Sequence, residues 1–217
     1  MRDLHWETVT PLMRQVLRTV GCSSLCPRFY LAGGTALALQ LGHRRSADLD
    51  LFSATDEVRP ETHREVLAVL EPFHASIVEQ EWGNLLLLVG NLRVGFFGYG
   101  YPLLGSDADA DGVPLASLLD LGLMKLDAVA TRAARKDFAD LYVLSQTIPL
   151  RKILDAAPRK YSGYRDFEAR VVRYLTYFER ADLEEPVPLV QGTPWEEIKA
   201  YFRQQASLLA RAWWESN

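Results

Sequence analysis

The sequence predicts an α/β chain in which a short mixed sheet with flanking helices is followed by a mainly helical C-terminal half. Short apolar runs bounded by glycine or polar residues, which are typical of strands, lie within the first hundred residues. Amphipathic spacing typical of helices dominates after them. Since 48% of the 217 residues are apolar, the chain can bury a proper core. We predict an α/β domain over residues 1–113 and a helical domain over residues 114–217.

The segment from Phe29 to Phe52 predicts a strand, a tight turn, a short helix and a second strand. Its apolar beginning ends at Gly33-Gly34, a pair that permits a sharp reversal and a close approach to the bare backbone. Thr35 is placed to cap the helix that we expect over residues 36–41.

Asp48 and Asp50 belong to the second strand, in which acidic and apolar residues alternate. Residues two apart in a strand share a face, so both carboxylates project to one side while Leu49 and Leu51 enter the core. Two adjacent carboxylates repel each other unless a cation lies between them. Mg²⁺ suits this pair, because it binds one or two carboxylates together with substrate phosphates. Phosphates in turn bind well at a glycine turn that opens a helix.

An amphipathic strand with its acids in water is the alternative interpretation of Asp48 and Asp50, since alternation is the ordinary strand pattern. The glycine turn that precedes them favours the site. A site requires both side chains to lie on one face, within reach of a single ion.

The remaining elements follow from periodicity and from glycine and proline positions. A helix is predicted over residues 8–20, and Pro60 is placed to begin a helix that ends near residue 70. Trp82-Gly83 is the expected turn between two paired strands, and an acidic loop covers residues 105–112. The other predicted strands cover residues 75–81, 84–89 and 91–99, and further helices run from Pro114 to about Arg135 and from about Lys136 to Leu144.

Two blocks of the sequence resemble the nucleotidyltransferase-fold family named after the AbiEii/AbiGii toxins. The first is Gly-Gly-Thr followed by the pattern His-Arg-x-Ser-x-Asp-Leu-Asp-Leu-Phe over residues 43–52. The second runs from Met124-Lys125-Leu126 through Arg132 and Lys136-Asp137-Phe138 to Asp140-Leu141-Tyr142. The resemblance implies a nucleotidyltransferase-like fold and Mg²⁺-dependent transfer of a nucleoside monophosphate from NTP to an acceptor hydroxyl. It also implies the toxin of a toxin–antitoxin pair, with RNA such as tRNA as acceptor and an antitoxin protein as partner.

The residues of both blocks form one predicted site. Asp48 and Asp50 hold the metal, the glycine turn holds the β- and γ-phosphates, and the polar loop between them supports the turn and touches phosphate. In the second block the family's pattern places functional residues at Lys125 and Asp137. The predicted catalytic residues are Asp48, Asp50, Lys125 and Asp137, and the predicted nucleotide-binding residues are Gly33, Gly34, Thr35, Arg44, Ser46 and Arg132.

Lys125 and Arg132 lie seven residues apart and are expected to share one helix face, where two cations could meet a triphosphate. Asp137 would assist the acceptor or orient Lys125. The alternative is a solvated helix on which Asp137 and Asp140 pair with Arg132, Arg135 or Lys136.

One feature departs from many nucleotidyltransferases, which carry a third carboxylate on a later strand as a base and second-metal ligand. Gly95 stands where this carboxylate is expected. Either Asp137 takes over the role, the acceptor needs no strong base, or catalysis is lost. A pseudoenzyme that binds NTP or a partner, and a small-molecule nucleotidyltransferase of the antibiotic-modifying kind, are therefore alternative functions.

Charge and hydropathy set the expected partners and compartment. The net charge is −4, but residues 125–180 hold 12 Lys and Arg against 7 Asp and Glu. This basic segment suits a polyanionic substrate, and solvated helix faces would explain it equally well. No apolar run approaches the ~18 residues of a membrane span, and the polar start is unlike a signal peptide. We expect a cytoplasmic protein without a membrane partner.

Overall fold

The computed structural model describes residues 3–106 and 108–216, with the side chains through residue 211. The chain consists of two compact units, Met1–Ser117 and Leu118–Asn217. The first unit contains a five-stranded sheet, and the second is helical. The predicted fold class, a mixed sheet with flanking helices and a mainly helical remainder, is thereby confirmed.

The sheet of the first unit has the strand order β1-β2-β5-β4-β3. Strands β2 and β5 are parallel, and all other neighbours in this sheet are antiparallel. A turn at Trp82-Gly83 joins β3 to β4, as predicted. The strands are β1 (Tyr30–Leu31), β2 (Asp48–Ser53), β3 (Ser76–Glu81), β4 (Asn84–Val89) and β5 (Leu92–Gly98).

The described residues of the first unit form the α-helices α1 (Pro11–Gly21), α2 (Gly33–Leu41) and α3 (Pro60–Val69). Thr10 caps α1, because its side chain accepts a hydrogen bond from the backbone N–H of Met13. Pro60 is the first residue of α3, as its fixed φ favours. The prediction that Thr35 caps α2 is wrong. Ala32 is in the capping position, and its side chain has no group to make the cap.

One face of the sheet forms the core of the first unit. Along each strand, side chains of this face alternate with those of the opposite face. The register pairs Leu49 with Val94 and Leu51 with Phe96, so the buried side chains of β2 and β5 lie side by side. Each such burial is worth about 1.5–3 kcal/mol relative to exposure. The fully buried side chains of this face are Leu49, Leu51, Leu85, Leu87, Val94 and Phe96.

A short hairpin replaces part of the loop predicted over residues 105–112. It consists of β6 (Asp109–Ala110) and β7 (Val113–Pro114), so the prediction that Pro114 begins a helix is wrong. Asp111 adopts a positive φ at the tip and accepts hydrogen bonds from the guanidinium of Arg14. This long-range ion pair connects the hairpin to α1. No local sequence pattern predicts this contact.

The second unit is built from α-helices, of which α10 is the longest at 22 residues. No helix in the described part of the chain is long and apolar enough to cross a bilayer. The helices are α4 (Leu118–Thr131), α5 (Arg135–Ser145), α6 (Leu150–Asp155), α7 (Ala157–Lys160), α8 (Phe167–Tyr174), α9 (Glu179–Asp182) and α10 (Trp195–Ser216).

The junction between α4 and α5 falls earlier than predicted. Helix α4 ends at Thr131, and Ala133 follows with a φ of 46°. The backbone N–H of Ala133 donates to the Ala128 carbonyl at 3.2 Å, a bond that closes the helix end. Arg132 therefore follows α4 and is not one of its residues, which corrects the single helix face expected for Lys125 and Arg132.

An aromatic cluster centred on Phe138 packs the interior of the second unit. The Phe138 ring is fully buried, and its centroid lies 5.1 Å from that of Phe178 and 5.4 Å from that of Phe202. Trp195, at the start of α10, contacts the same ring edge-on at 5.9 Å. These contacts join α5, α9 and α10 in one core.

Candidate active site

Asp48 and Asp50 share one face of β2. Both are half-exposed, whereas Leu49 and Leu51 between them are fully buried, as the alternation predicted. We call the side of the sheet that carries Asp48, Asp50 and Phe52 the acidic face. Neither carboxylate lies in the apolar core, so the first part of the requirement, a shared face, is met. That both reach a single ion, and that they act as metal ligands, stay predictions.

The glycine turn lies directly against Asp50. Gly33 has a φ of +66°, and a Cβ added to it would lie 2.6 Å from Oδ2 of Asp50. The backbone N–H of Ala32 also donates to the Asp50 carbonyl at 3.0 Å. Glycine is therefore required at position 33 for two reasons. It adopts a left-handed backbone conformation, and it has no Cβ that would clash with the Asp50 carboxylate.

Thr35 connects the start of α2 to the acidic strand. Its buried hydroxyl donates to the backbone carbonyl of Asp48 and lies 2.7 Å from Oγ of Ser46. The backbone N–H of Ser46 donates to the Thr8 carbonyl at 2.9 Å. Ser46 therefore supports the loop, as predicted. Arg44 turns back on the same loop and donates to the Arg45 carbonyl at 3.0 Å.

An aromatic ring covers Gly95, the position at which a third carboxylate was expected. Gly95 pairs with Asp50 in the parallel register of β2 and β5. A Cβ at Gly95 would lie 2.4 Å from the ring of Phe97, so this ring covers the glycine. The sequence showed that an acid is absent at Gly95, but it did not show that a ring covers this position. Arg93, which pairs with Asp48 in the same register, was also not selected as a site residue.

The chemistry of the acidic pair fits Mg²⁺ bound together with a nucleotide. Among the described residues, no group of three or more His, Cys, Asp and Glu is arranged to hold a metal ion. A two-carboxylate site is sufficient for Mg²⁺, which keeps water and substrate phosphates as its other ligands. The pair is therefore suited to a metal that arrives with its substrate.

In the second unit, Lys125 lies at the centre of a buried ion-pair network. Its Nζ is 2.9 Å from Oδ1 of Asp137 and 2.7 Å from Oδ2 of Asp140, and both carboxylates are fully buried. The half-exposed guanidinium of Arg132 donates from Nε and Nη2 to the two oxygens of Asp137. The alternative of a solvated helix is thus corrected to a buried network, in which Asp137 pairs with Arg132, as that alternative expected, and Asp140 pairs with Lys125.

The network shifts the pKa values of its members in opposite directions. Burial alone would raise the pKa of the Asp137 carboxyl, but Lys125 and Arg132 outweigh it and hold this pKa below its usual range. Burial alone would lower the pKa of Lys125, but Asp140 and Asp137 raise it. Both groups are therefore charged at neutral pH, and Asp137 orients Lys125.

Sequence analysis missed a second buried ion pair. Nζ of Lys160 is 2.8 Å from Oδ1 of Asp120, and neither side chain is exposed. This contact joins α4 to α7 across 40 residues of sequence. Neither residue lies in a recognisable motif, so no local signal could have found the pair.

The fold of both units belongs to the nucleotidyltransferases. MenT4, the nucleotidyltransferase toxin Rv2826c from Mycobacterium tuberculosis H37Rv, matches 92% of this chain and 82% of its own with 15% identity and a TM-score of 0.57. JHP933 from Helicobacter pylori matches 94% of this chain and 91% of its own with 19% identity and a TM-score of 0.55. At these identities the likeness concerns the fold.

Sequence comparison identifies the family. The model of the family described as "Nucleotidyl transferase AbiEii toxin, Type IV TA system" matches residues 15–84, which include the glycine turn and the acidic strand. The uncharacterized protein aq_aa25 of Aquifex aeolicus (strain VF5) is 32% identical over 210 residues, 94% of this chain and 97% of that protein. The chain belongs to the AbiEii nucleotidyl transferase toxin family, and its family and fold support a nucleotidyltransferase enzyme.

Replacement of Gly33 by alanine tests the contact with Asp50. Gly192 has almost the same φ, +65°, but nothing within 4 Å of an added Cβ, so Gly192→Ala isolates the backbone strain. We expect Gly192→Ala to lower the free energy of unfolding by about 1–2 kcal/mol, and Gly33→Ala to lower it further because of the clash. Urea denaturation measures both. Equal losses would contradict the proposed close packing of carboxylate and turn.

Replacement of Lys125 by methionine should destabilise the protein strongly. It leaves Asp140 buried without its ammonium partner, and breaking such a pair costs about 3–5 kcal/mol. The control is Arg151→Met, because Arg151 is half-exposed and pairs with Asp155 and Glu168 at the surface. That change should cost at most about 1 kcal/mol. Similar urea midpoints for the two variants would show that the network is not a stabilising core.

The pH dependence of stability should show two limbs. Because the pKa of Asp137 is lowered by folding, its contribution is complete above the ordinary value of 3.8 and is lost as the pH falls below that value. Because the pKa of Lys125 is raised, its contribution is complete below 10.5 and is lost as the pH rises further. Urea titrations across pH should show the alkaline loss in the wild type and a smaller one in Lys125→Met.

Proposed function

We propose that this protein is a Mg²⁺-dependent nucleotidyltransferase that moves a nucleoside monophosphate from NTP to a hydroxyl of an RNA acceptor such as tRNA. The observation that carries the proposal is the packing of the glycine turn at Gly33 against Asp50, with Asp48 on the same half-exposed face. This arrangement brings a phosphate-binding helix start and a pair of metal-ligating carboxylates together.

The start of α2 is the proposed binding place of the β- and γ-phosphates. Backbone N–H groups at Gly33 and Gly34 belong to the first turn of the helix, where they have no intrahelical acceptor and the helix dipole favours anions. The hydroxyl of Thr35 is hydrogen-bonded to Asp48 and Ser46, so the role of Thr35 is to hold the start of α2 in place. The hydrogen bonds of Thr35 therefore fix the distance between the phosphate site and the acidic pair.

Asp48 and Asp50 are the residues that would hold Mg²⁺. When bound, the ion supplies charge neutralisation on the phosphate oxygens. The two carboxylates would place the ion beside the proposed phosphate site, and the strand keeps both on one face. Arg93, the register neighbour of Asp48, adds a positive charge to the same face.

The absence of an acid at Gly95 is compatible with this chemistry. Nucleotidyl transfer gains much from positioning of the reactants and from stabilisation of the charge that develops on the phosphate oxygens. A strong base at the acceptor is then less important than its orientation. Of the three alternatives, an acceptor that needs no strong base is therefore favoured over loss of catalysis. Lys125, Arg132 and Asp137 stay proposed site residues, with Asp137 holding Lys125 in place.

Family membership and charge support the biological setting. The family is described as the toxin of a type IV toxin–antitoxin system, which implies NTP as substrate and an antitoxin as partner. The basic segment over residues 125–180, with 12 Lys and Arg against 7 Asp and Glu, favours a polyanionic acceptor over the cationic acceptors of antibiotic-modifying enzymes.

The proposal is tested by incubating the protein with each labelled NTP, Mg²⁺ and total cellular RNA. We expect label to enter one RNA size class, with release of pyrophosphate and with dependence on Mg²⁺. Label in a small-molecule fraction alone, or pyrophosphate release without labelled RNA, would contradict an RNA acceptor.

Replacement of Asp48 or Asp50 by asparagine should abolish transfer and retain the fold. The change is nearly isosteric and removes one charge from a repelling pair, so the metal-free melting temperature should rise slightly. With Mg²⁺ and NTP the order should reverse, because only the wild type gains ligand-linked stability of RT ln(1 + [L]/Kd). Thermal melts with and without Mg²⁺–NTP measure this, with Asp166→Asn at an exposed position as control. If all variants shift as the wild type does, these carboxylates do not hold the metal.

A further inference from the structure

A continuous row of aromatic rings extends the acidic face beyond Asp50. Phe52 is the next residue of β2 on this face, and Phe97 pairs with it on β5. Their ring centroids are 5.1 Å apart, and that of Tyr99 lies 5.4 Å from the Phe52 ring. We call Phe52, Phe97 and Tyr99 the aromatic row.

The aromatic row is only half-buried, although Leu51 and Phe96 on the opposite face of the same strands are fully buried. Tyr101 continues it, with its centroid 5.0 Å from that of Tyr99 and 36% of its surface exposed. Packing of the core therefore does not account for these rings. Exposed rings beside a phosphate site suit nucleobases, because every base has a π-face that stacks on an aromatic side chain.

The position of the aromatic row relative to the glycine turn identifies which base it faces. Strand β2 lies between β1 and β5. The turn at Gly33, which follows β1, packs against Asp50 on one side of β2, and Phe97 covers Gly95 on the other side. The attacking and leaving oxygens of a phosphoryl transfer lie roughly in line. If pyrophosphate leaves toward the turn, the attacking hydroxyl enters from the side of β5.

We propose that the aromatic row stacks the terminal base of the acceptor, with Phe97 as the positioning residue in the place of the third carboxylate. This inference rests on the proposed function, since it assigns the side from which the acceptor enters. Phe97 holds the terminal nucleotide by its base, so that the adjacent ribose hydroxyl is directed toward the acidic pair. The hydroxyl is thereby oriented without a carboxylate on β5 to act as its base. Its oxygen bonds to the α-phosphorus, the bond to pyrophosphate breaks, and the hydroxyl proton passes to solvent.

A binding experiment without turnover tests the proposal. The probes are a fluorescein-labelled short single-stranded RNA and the same RNA with an abasic 3′-terminal nucleotide, and fluorescence anisotropy measures both dissociation constants. The wild type should bind the abasic probe about tenfold more weakly, which is within the range of one base–aromatic stack. Phe97→Leu keeps an apolar side chain of similar size over Gly95 but has no π-face, so it should bind the two probes equally.

Three further variants complete the design. Phe97→Tyr should retain the difference between the probes, because the ring is kept. Tyr177→Leu removes an exposed ring of the second unit and should also retain the difference. Thermal melts of all variants confirm that they are folded, and Tyr99→Leu provides a second test of the row should Phe97→Leu not fold.

The outcomes separate this inference from the proposed function. Equal binding of both probes by the wild type, or an unchanged difference in Phe97→Leu, overturns the inference even where RNA is labelled in the transfer assay. A base-dependent difference that requires Phe97 supports it, and it does so even where no RNA is labelled and the proposed function fails. If Phe97→Leu instead weakens NTP binding and leaves both RNA dissociation constants unchanged, the row holds the base of NTP and the assignment to the acceptor is overturned.

Discussion

The contact between the Asp50 carboxylate and the backbone of Gly33 is the constraint on which the first unit's candidate site depends. It requires a residue without a Cβ, and the positive φ of the same residue sets the direction in which α2 begins. The hydrogen bonds from Ala32 to Asp50 and from Thr35 to Asp48 then hold strand, turn and helix in one register. The start of α2, which is the proposed phosphate site, and the two carboxylates are thus fixed relative to each other, and the proposed chemistry needs such preorganisation.

The second unit depends on a different interaction, the burial of charges in pairs. Lys125 and Lys160 both have ammonium groups inside the helical unit, and each is matched by buried aspartates. Desolvation makes such pairs poor sources of net stability compared with apolar side chains. We interpret these pairs as determinants of how the helices pack. A buried ammonium on α4 or α7 is stable only in a packing arrangement that places an aspartate beside it.

The part of the structure that could be predicted from sequence is the part that short-range patterns determine. The alternation of Asp48 and Asp50 with leucines, the glycine turn and the start of α3 at Pro60 each depend on residues within a few positions. The bonding of Thr35 to Asp48, the hairpin at residues 109–114 and the Lys160–Asp120 pair join distant segments, and no local pattern encodes such contacts. The motif around Lys125 is a local pattern and could be recognised, whereas the burial of the Lys125 side chain depends on the packing of α4 against α5 and could not.

Both the sequence and the strand register are needed to see that a ring, and not an acid, lies beside Asp50. The sequence shows that β5 lacks the acid, and only the register of β2 with β5 shows that Phe97 fills the space above Gly95. A carboxylate in that space would repel the acidic pair and require a further cation, whereas a ring adds no charge to a face that already carries two. Under the proposed function, orientation of the acceptor hydroxyl takes the place of a base on β5, and we propose that the ring at this position recognises the acceptor.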